Sequence, residues 1–461
     1  MARPRPLSGF PEWLPQGRAV ERHVLATLTR VFELHGFVEI ETRAVEPLDQ
    51  LLRKGETSKE VYVLRRLQDM DQAGAQPLGL HFDLTVPLAR YVLQNAGQLD
   101  FPFKRFQIQK VWRGERPQAG RFREFAQADI DVIGRGELAF HHELELPLVM
   151  AEALAALDVG RFKVLANNRK LAQGFAVGIG VQDLDVALRW IDKLDKIGAE
   201  AARVGLIADG VEAEQADLLL RFAGISTDDA DRLAAAVGAL AAEARVARAV
   251  LEEGLGELVE LLRLAGERLP GVVVADLKIV RGLDYYTGSV YETVWLGHES
   301  LGSVCSGGRY DSLASDGAST YPGVGLSIGV TRLVSRILAE GLLAPTRRSP
   351  AAALVAVADE SRRPAANRVA AALRARGIPT EVAPAAGKYR KQIKYADERG
   401  IPHVWFPADG EAEPDGIVRR ELLGEVKDLR TRDQTPADAA TWRPPDEDLA
   451  VRVVRPAPSN G

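Results

Sequence analysis

Residues 111–134 read VWRGERPQAGRFREFAQADIDVIG, and their alternation restricts the chain more than any other segment. Successive side chains of a strand point to opposite faces, so every second residue shares a face. From 121 to 131 the odd positions hold Arg121, Arg123, Phe125, Gln127, Asp129 and Asp131, whereas the even positions include Phe122, Ala126, Ala128 and Ile130. The preceding segment alternates too: Gln107, Gln109, Arg113 and Glu115 oppose Phe106, Ile108 and Trp112. Pro117 and Gly120 suit a reversal between the two runs. The spacing predicts two antiparallel strands with one polar and one apolar face. Alternation alone fits a hairpin wetting its outer face as well as it fits a charged pocket floor.

A chain of 461 residues exceeds one typical core, so two or three domains are expected. Its formal net charge of −5 argues against indiscriminate coating of nucleic acid, while leaving room for a local phosphate or tRNA site. The single cysteine, Cys305, excludes an intrachain disulfide framework and a multi-cysteine zinc site, as suits a reducing compartment. The seven histidines lack metal-ligand spacing. The N-terminus MARPRPLSGFPEW has no apolar core like that of a signal peptide, and no apolar run is long enough to span a bilayer. A cytoplasmic protein is expected.

Periodicity divides the chain. A helix is predicted over 19–36, a strand in FVEIET, and a segment at 80–95 that alternates before Pro87 and turns helical after it. Strands over 105–133 precede a long helix ending near 157. Alanine- and leucine-rich helical spacing then fills 168–270, after which VVVADLKIV and SVYETVW resume strand character. This predicts a first domain in two parts, 1–167 and 271–343, interrupted by a helical insertion at 168–270. LAPTRRSP at 343–350 reads as a linker, 351–435 alternates strand and helix as a small α/β domain, and the proline-rich stretch 436–461 reads as a loosely attached tail.

Two further stretches bear on chemistry. In VRGLDYYTGSVYE, residues 280–292, Gly282 and Gly288 bracket Arg281, Asp284, Tyr285 and Tyr286, which suggests a shaped turn feeding a strand. In GVGLSIGVTRLVSRILAEG a glycine-spaced strand runs into a helix with Arg332 in its first turn. A cation at the positive end of a helix is better accommodated when an anion such as phosphate lies opposite. No nucleophile–base dyad, P-loop or dinucleotide fingerprint is present. Arginines facing carboxylates without a nucleophile describe a site that positions anions, as phosphoryl or adenylyl transfer requires.

GERPQAGRFREFAQADIDVIG, VRGLDYYTGSVYE, SGGRYDSL and GVGLSIGVTRLV together resemble motifs of class II aminoacyl-tRNA synthetases, specifically the histidyl-tRNA synthetase family. FDLTVPLARYV resembles that family's DLT sub-pattern, and the likeness extends over residues 15 to about 435. The resemblance implies an α+β fold: an antiparallel-sheet catalytic domain with a helical insertion, and a C-terminal α/β anticodon-binding domain. It implies activation of L-histidine with ATP to histidyl adenylate, transfer to the 3′ end of tRNA(His), Mg²⁺ accompanying ATP, and a homodimer.

Carried over residue by residue, Arg113 would hold the α-phosphate and the amino-acid carboxylate, and Arg281 would act beside the reacting phosphate. Glu115 and Phe125 would lie against ATP, and Arg332 would clamp the distal phosphates. Asp83, Thr85, Arg113, Gln127, Asp131, Arg281, Tyr285 and Tyr286 match histidine-contacting positions. Arg116 and Gln118 lie in the loop used near the tRNA acceptor end. Two positions depart from the family pattern: Arg43 replaces the usual proline of motif one, and Thr331 replaces the acid before the arginine of motif three. The competing class is a synthetase-like paralogue that senses histidine as a regulatory subunit. Such proteins lack the terminal α/β domain, and sensing histidine alone needs no ATP clamp of the kind Arg113, Glu115, Arg281 and Arg332 would form.

Overall fold

The computed structural model describes residues 5–52, 60–67, 77–118, 120–280, 286–315, 317–408 and 422–456. It divides into two units, Met1–Glu12 with Val24–Ile337 and Trp13–His23 with Leu338–Gly461. Among the described residues no helix is long and apolar enough to cross a membrane.

The first unit is built on a mixed sheet. Its strands, in chain order, are β1 (Val38–Glu39), β2 (Phe103–Trp112), β3 (Glu124–Ile133), β4 (Phe162–Asn168), β5 (Ser226–Thr227), β6 (Val273–Asp276), β7 (Ser289–Trp295), β8 (Cys305–Ser315) and β9 (Thr320–Gly329). They lie in the order β1-β2-β3-β9-β8-β7-β4-β6-β5. The six strands from β2 to β4 in that order are all antiparallel neighbours, and the predicted pair is β2 with β3. Phe106, Ala128, Ile130 and Val132 are fully buried on the apolar face. There Phe106 meets Phe32 of helix α1 (Pro15–Leu34), with ring centroids 5.7 Å apart.

Helix α2 (Thr85–Asn95) starts two residues before Pro87, earlier than alternation suggested. The proline occupies the third helical position, where its missing N–H would have had no intrahelical partner. Helix α3 (His141–Ala155) follows β3. β4 runs parallel to β6, so the chain must cross over between them. The crossover contains α4 (Arg169–Gly178), α5 (Leu184–Ile191), α6 (Ala199–Ala208), α7 (Ala213–Ala223), α8 (Ala230–Glu243) and α9 (Glu252–Arg268). It is not wholly helical, since β5 returns from it to pair with β6. Helix α10 (Val330–Glu340) leaves directly from β9.

In the second unit, strands β10 (Ala353–Val355), β11 (Thr380–Val382), β12 (His403–Pro407), β13 (Leu423–Asp428) and β14 (Gln434–Asp438) are ordered β11-β10-β12-β13-β14. The first three are parallel and the last two antiparallel additions. Helices α11 (Arg363–Ala375) and α12 (Tyr389–Arg399) belong to the same unit. Val369, Leu373, Val404 and Trp405 are fully buried in its core.

The linker and tail expectations are both corrected here. Ala344–Pro345 pairs with Val453–Val454, and buried Arg347 donates to the Asp448 carbonyl at 2.7 Å. Residues beyond 435 complete the sheet edge and the core: Ala439 is fully buried and the Trp442 ring meets Trp405 at 5.5 Å. Buried Asp448 receives Arg430 through two bonds of 3.0 and 2.8 Å and lies 3.1 Å from His403 Nε2. Counting prolines missed this because one aspartate and one tryptophan outweigh the surrounding polar sequence. Asp448→Ala is expected to lower stability by about 2 kcal/mol, below the full loss for a buried pair because Arg430 is half-exposed. Denaturant unfolding measures it, and an unchanged midpoint would mean that the segment contributes nothing.

Candidate active site

The floor of the site consists of rows across the strands. β2 and β3 oppose Arg105 to Asp131, Gln107 to Asp129 and Gln109 to Gln127. β9 continues these rows with Gly325 opposite Asp131 and Ser327 opposite Asp129, and β8 adds Gly308 and Ser306. Opposed residues share a face, so the polar face predicted for 121–131 extends over two further strands. Those strands carry glycine and serine, which leave room above the sheet. At Gly325 a Cβ would stand 1.9 Å from Asp131 Oδ1, so only glycine fits without a shift.

Two adjoining cavities share Tyr286, Ser306, Gly307 and Ser327. The outer, about 380 Å³, is lined by Arg113, Glu115, Phe125, Gln127, Glu292 and Arg332 among others. The inner, about 30 Å³, reaches Thr85, Asp129, Asp131 and Tyr310.

Arg113 is oriented from two sides: its Nε donates to the Phe82 carbonyl at 2.9 Å, and its guanidinium lies 5.2 Å from the Phe125 ring centroid. Glu115 lies 3.5 Å from Arg121. Arg332 donates from Nε to the Gly120 carbonyl at 2.8 Å and from Nη1 to the Ser303 carbonyl, which ties the 113–123 loop to the far wall. Thr331, one of the departures from the family pattern, accepts the Ala126 N–H at 2.8 Å and so joins the start of α10 to β3. Arg43, the other departure, pairs with buried Glu46 at 2.7 Å.

At the inner end Arg105, with no exposed side-chain surface, pairs with Asp131 at 2.6 Å, and Tyr310 donates its hydroxyl to the other oxygen at 2.6 Å. Gln127 donates to Ser327 Oγ at 2.7 Å, leaving its Oε1 buried without a partner. Asp129 Oδ1 is likewise buried and unpartnered. Burial pushes the Asp129 carboxyl up to about 7, opposed by Arg105 and reinforced by the Asp131 charge. Burial also raises the Tyr286 phenol, with Asp131, Asp83 and Asp129 adding to it. Buried Asp83 accepts the Val86 N–H at 3.1 Å at the start of α2.

Among the residues expected from sequence, the cavities thus gather Thr85, Arg113, Glu115, Phe125, Gln127, Asp131, Tyr286 and Arg332, with Asp83 close behind. Arg116 and Gln118 do not line them; both are exposed in the hairpin loop. Arg281 and Tyr285 lie outside the described residues. Earlier in the chain, fully buried Asn167 donates to the carbonyls of Leu277 at 3.1 Å and Ile279 at 2.9 Å. Arg105, Tyr310 and Ser327 were absent from the expected set, and Asp129 was seen on the polar face without a role. Arg105 shares the odd parity of Gln107 and Gln109, so alternation carried a signal for it.

Comparison with known proteins bears on this geometry. The histidyl-tRNA synthetase family model matches residues 9–333, and an anticodon-binding domain model matches 352–435. The chain belongs to the histidyl-tRNA synthetase family. It is 54% identical to a histidine–tRNA ligase of Micrococcus luteus, covering 99% of each chain. It is 55% identical to one of Bifidobacterium longum subsp. infantis, over 96% of this chain and 98% of the relative. The crystal structure of histidyl-tRNA synthetase from Nostoc sp. PCC 7120 superposes with a TM-score of 0.79 at 34% identity, covering 95% of this chain and 98% of that one. The fold is therefore that of a class II synthetase with a C-terminal anticodon-binding domain.

Asp129 also makes a prediction about stability. Its folded value of about 7 lies above the ordinary 3.8, so the folded protein keeps a proton that the unfolded chain releases. The associated stability is complete below about pH 4 and is lost as pH rises through about 7. The charged and titratable groups facing it are Arg105, Asp131, Asp83, Tyr286 and Cys305. Asp129→Asn is expected to remove this component, so that the stability difference between variant and parent grows in the variant's favour from pH 4 to 7.5. Thermal or chemical unfolding across that range checks it.

Proposed function

We propose a division of labour among these residues for the reaction of a histidine–tRNA ligase: L-histidine and ATP give histidyl adenylate and diphosphate, and histidine then passes to the 3′ end of tRNA(His). The observation that carries this reading is the continuous polar floor, in which an arginine-flanked outer cavity adjoins a carboxylate-lined inner one. Histidine's carboxylate is the nucleophile and needs no activating base. It attacks the α-phosphorus as diphosphate leaves, and the pentacovalent phosphate is stabilised by Arg113 and Arg281. Glu115 and Phe125 lie against the nucleotide, and Arg332 faces the distal phosphates. Asp83, Thr85, Gln127, Asp131, Tyr285 and Tyr286 receive the substrate's ammonium and imidazole. Arg116 and Gln118, exposed in the loop, meet the acceptor end, whose terminal hydroxyl attacks the adenylate carbonyl and releases AMP.

Mg²⁺ would enter with ATP and supply charge neutralisation at the phosphates. Among the described residues no group of three or more His, Cys, Asp and Glu side chains is arranged to hold a metal. Glu292 in the outer wall offers one carboxylate.

The remaining assignments rest on position. Residues 1–167 and 271–343 form the catalytic domain, 168–270 the insertion, 351–435 the anticodon-binding domain and 436–461 its C-terminal segment. A homodimer is proposed through the motif-one region, where Leu34 and Val38 are exposed beside the edge strand β1. A cytoplasmic location suits a tRNA-charging enzyme with one buried thiol. A histidine-sensing regulatory role is not favoured: the likeness to an ATP phosphoribosyltransferase regulatory subunit/histidyl-tRNA synthetase structure from Bacillus halodurans stands at 20% identity and concerns the fold alone.

Histidine-dependent exchange of pyrophosphate into ATP tests the central claim. The parent should exchange, and Arg113→Ala should lose at least about 10²-fold in kcat/KM. A parent that binds histidine without exchange would instead be a sensor. A second experiment addresses the other end of the substrate. Lys391 and Lys394 are exposed on α12, and reversing both to glutamate should raise the KM for tRNA severalfold while pyrophosphate exchange is unchanged. Equal tRNA KM values for parent and variant would remove these lysines from the interface.

A further inference from the structure

Tyr286 lines both cavities, yet it stands outside the strands that build their floor. The ladder of β7 begins at Ser289 with β4 and at Val290 with β8, so strand register does not place residues 286–288. The fit there is close: the Tyr286 ring lies against Gly308, where an added Cβ would come within 3.0 Å of it. The phenol is near enough to Asp131, Asp83 and Asp129 to feel their charge.

What fixes this stretch comes from behind the sheet. Gly308 and Tyr310 belong to the pocket face of β8, so Arg309 between them projects from the opposite face. There its Nη1 donates to Glu143 Oε1 at 2.7 Å and to the Leu138 carbonyl at 3.1 Å, while its Nε donates to Asp311 Oδ1 at 3.0 Å. The other oxygen of Asp311 accepts the Thr287 hydroxyl at 2.6 Å, and the other oxygen of Glu143 accepts the Ser289 N–H at 3.1 Å. The Thr287 N–H also donates to the Arg309 carbonyl at 2.8 Å. Gly288 lies between these attachments, and a Cβ there would stand 3.0 Å from both Arg309 Cδ and Glu143 Oε2. None of Glu143, Thr287, Arg309 and Asp311 lines either cavity.

We propose that Glu143, Arg309, Asp311 and Thr287 form a positioning clamp that sets the Tyr286 phenol at the junction of the two cavities, so that a network outside the pocket governs how well histidine is held inside it. This rests on the reading of Tyr286 as a histidine-contacting residue. The clamp depends on the fork of Arg309, which reaches two carboxylates and a carbonyl at once, as a lysine ammonium on its flexible stem does not. Glu143 is 1% exposed, so deleting Arg309 would leave a buried carboxylate without its cation and endanger the fold. Thr287 stands at the other end of the chain of bonds. There the link can be cut without stranding a buried charge, because Asp311 is 42% exposed.

The test follows histidine-dependent pyrophosphate exchange by the full-length protein with Thr287→Val, which keeps the shape and removes the hydroxyl, and with Thr287→Ser, which restores it. Thr287→Val should raise the KM for histidine about fivefold or more, with the KM for ATP within about twofold of the parent. Its melting temperature should stay within about 2 °C of the parent's. Thr287→Ser should return the histidine KM to within about twofold of the parental value. Coupling separates positioning from general loosening: in a Tyr286→Phe background Thr287→Val should add less than about twofold, since the hydroxyl it would misplace is gone. Full multiplication of the two effects would overturn the proposal, as would a parental histidine KM in Thr287→Val or equal rises for histidine and ATP. A Tyr286→Phe protein with a parental histidine KM would remove the underlying reading, and the clamp with it, before Thr287 is changed.

Discussion

A guanidinium with no exposed surface holds this site together. Arg105 lies at the buried end of the pocket floor, ion-paired with Asp131 at 2.6 Å and close enough to Asp129 to pull against its neutralisation. An isolated carboxylate in such surroundings would give up its charge, and two side by side would do so more readily. One fixed cation in the adjacent strand lets the pair persist with an intermediate balance. The polar rows of β3 and β9, the hydroxyl of Tyr310 and the acidic influence on Tyr286 all follow from that pairing.

The pocket owes its space to side chains that are absent. Gly325 faces Asp131 where even a methyl group would collide, and Ser327 opposite Asp129 is small enough to bond Gln127 without filling the cavity. A sheet with ordinary side chains on β8 and β9 would bury the same charged row with no room for a substrate. Charge and vacancy come from different strands, and the antiparallel register brings them together.

Much of this was legible from alternation. The hairpin, the polar parity of 121–131 and the resumption of one sheet after a long helical stretch are local or periodic features, and period is what a sequence displays. What it conceals is partnership. Arg105 has the correct parity, but nothing local marks it as the residue that faces Asp131 across the sheet. Asp129 and Asp131 look alike in sequence and differ in their partners: Arg105 and Tyr310, the latter 179 positions away, both reach Asp131. The C-terminal segment misled for the same reason. Its prolines are local, whereas the bond from Arg347 to the Asp448 carbonyl spans 101 positions. Helix α2 erred in the other direction, because Pro87 was read as a boundary when it sits within a first turn that tolerates it.

Thr331 occupies the position before Arg332 where the resemblance led to an expected acid, and it serves as an uncharged tether by accepting the Ala126 N–H. A carboxylate there would stand one residue from the guanidinium and cancel part of its field over the outer cavity. A hydroxyl holds the helix start to the strand without that cancellation. Arg332 therefore presents its positive potential undiminished by its neighbour, and the mechanical connection between helix and strand does not depend on pH, because neither the amide nor the hydroxyl titrates in the physiological range.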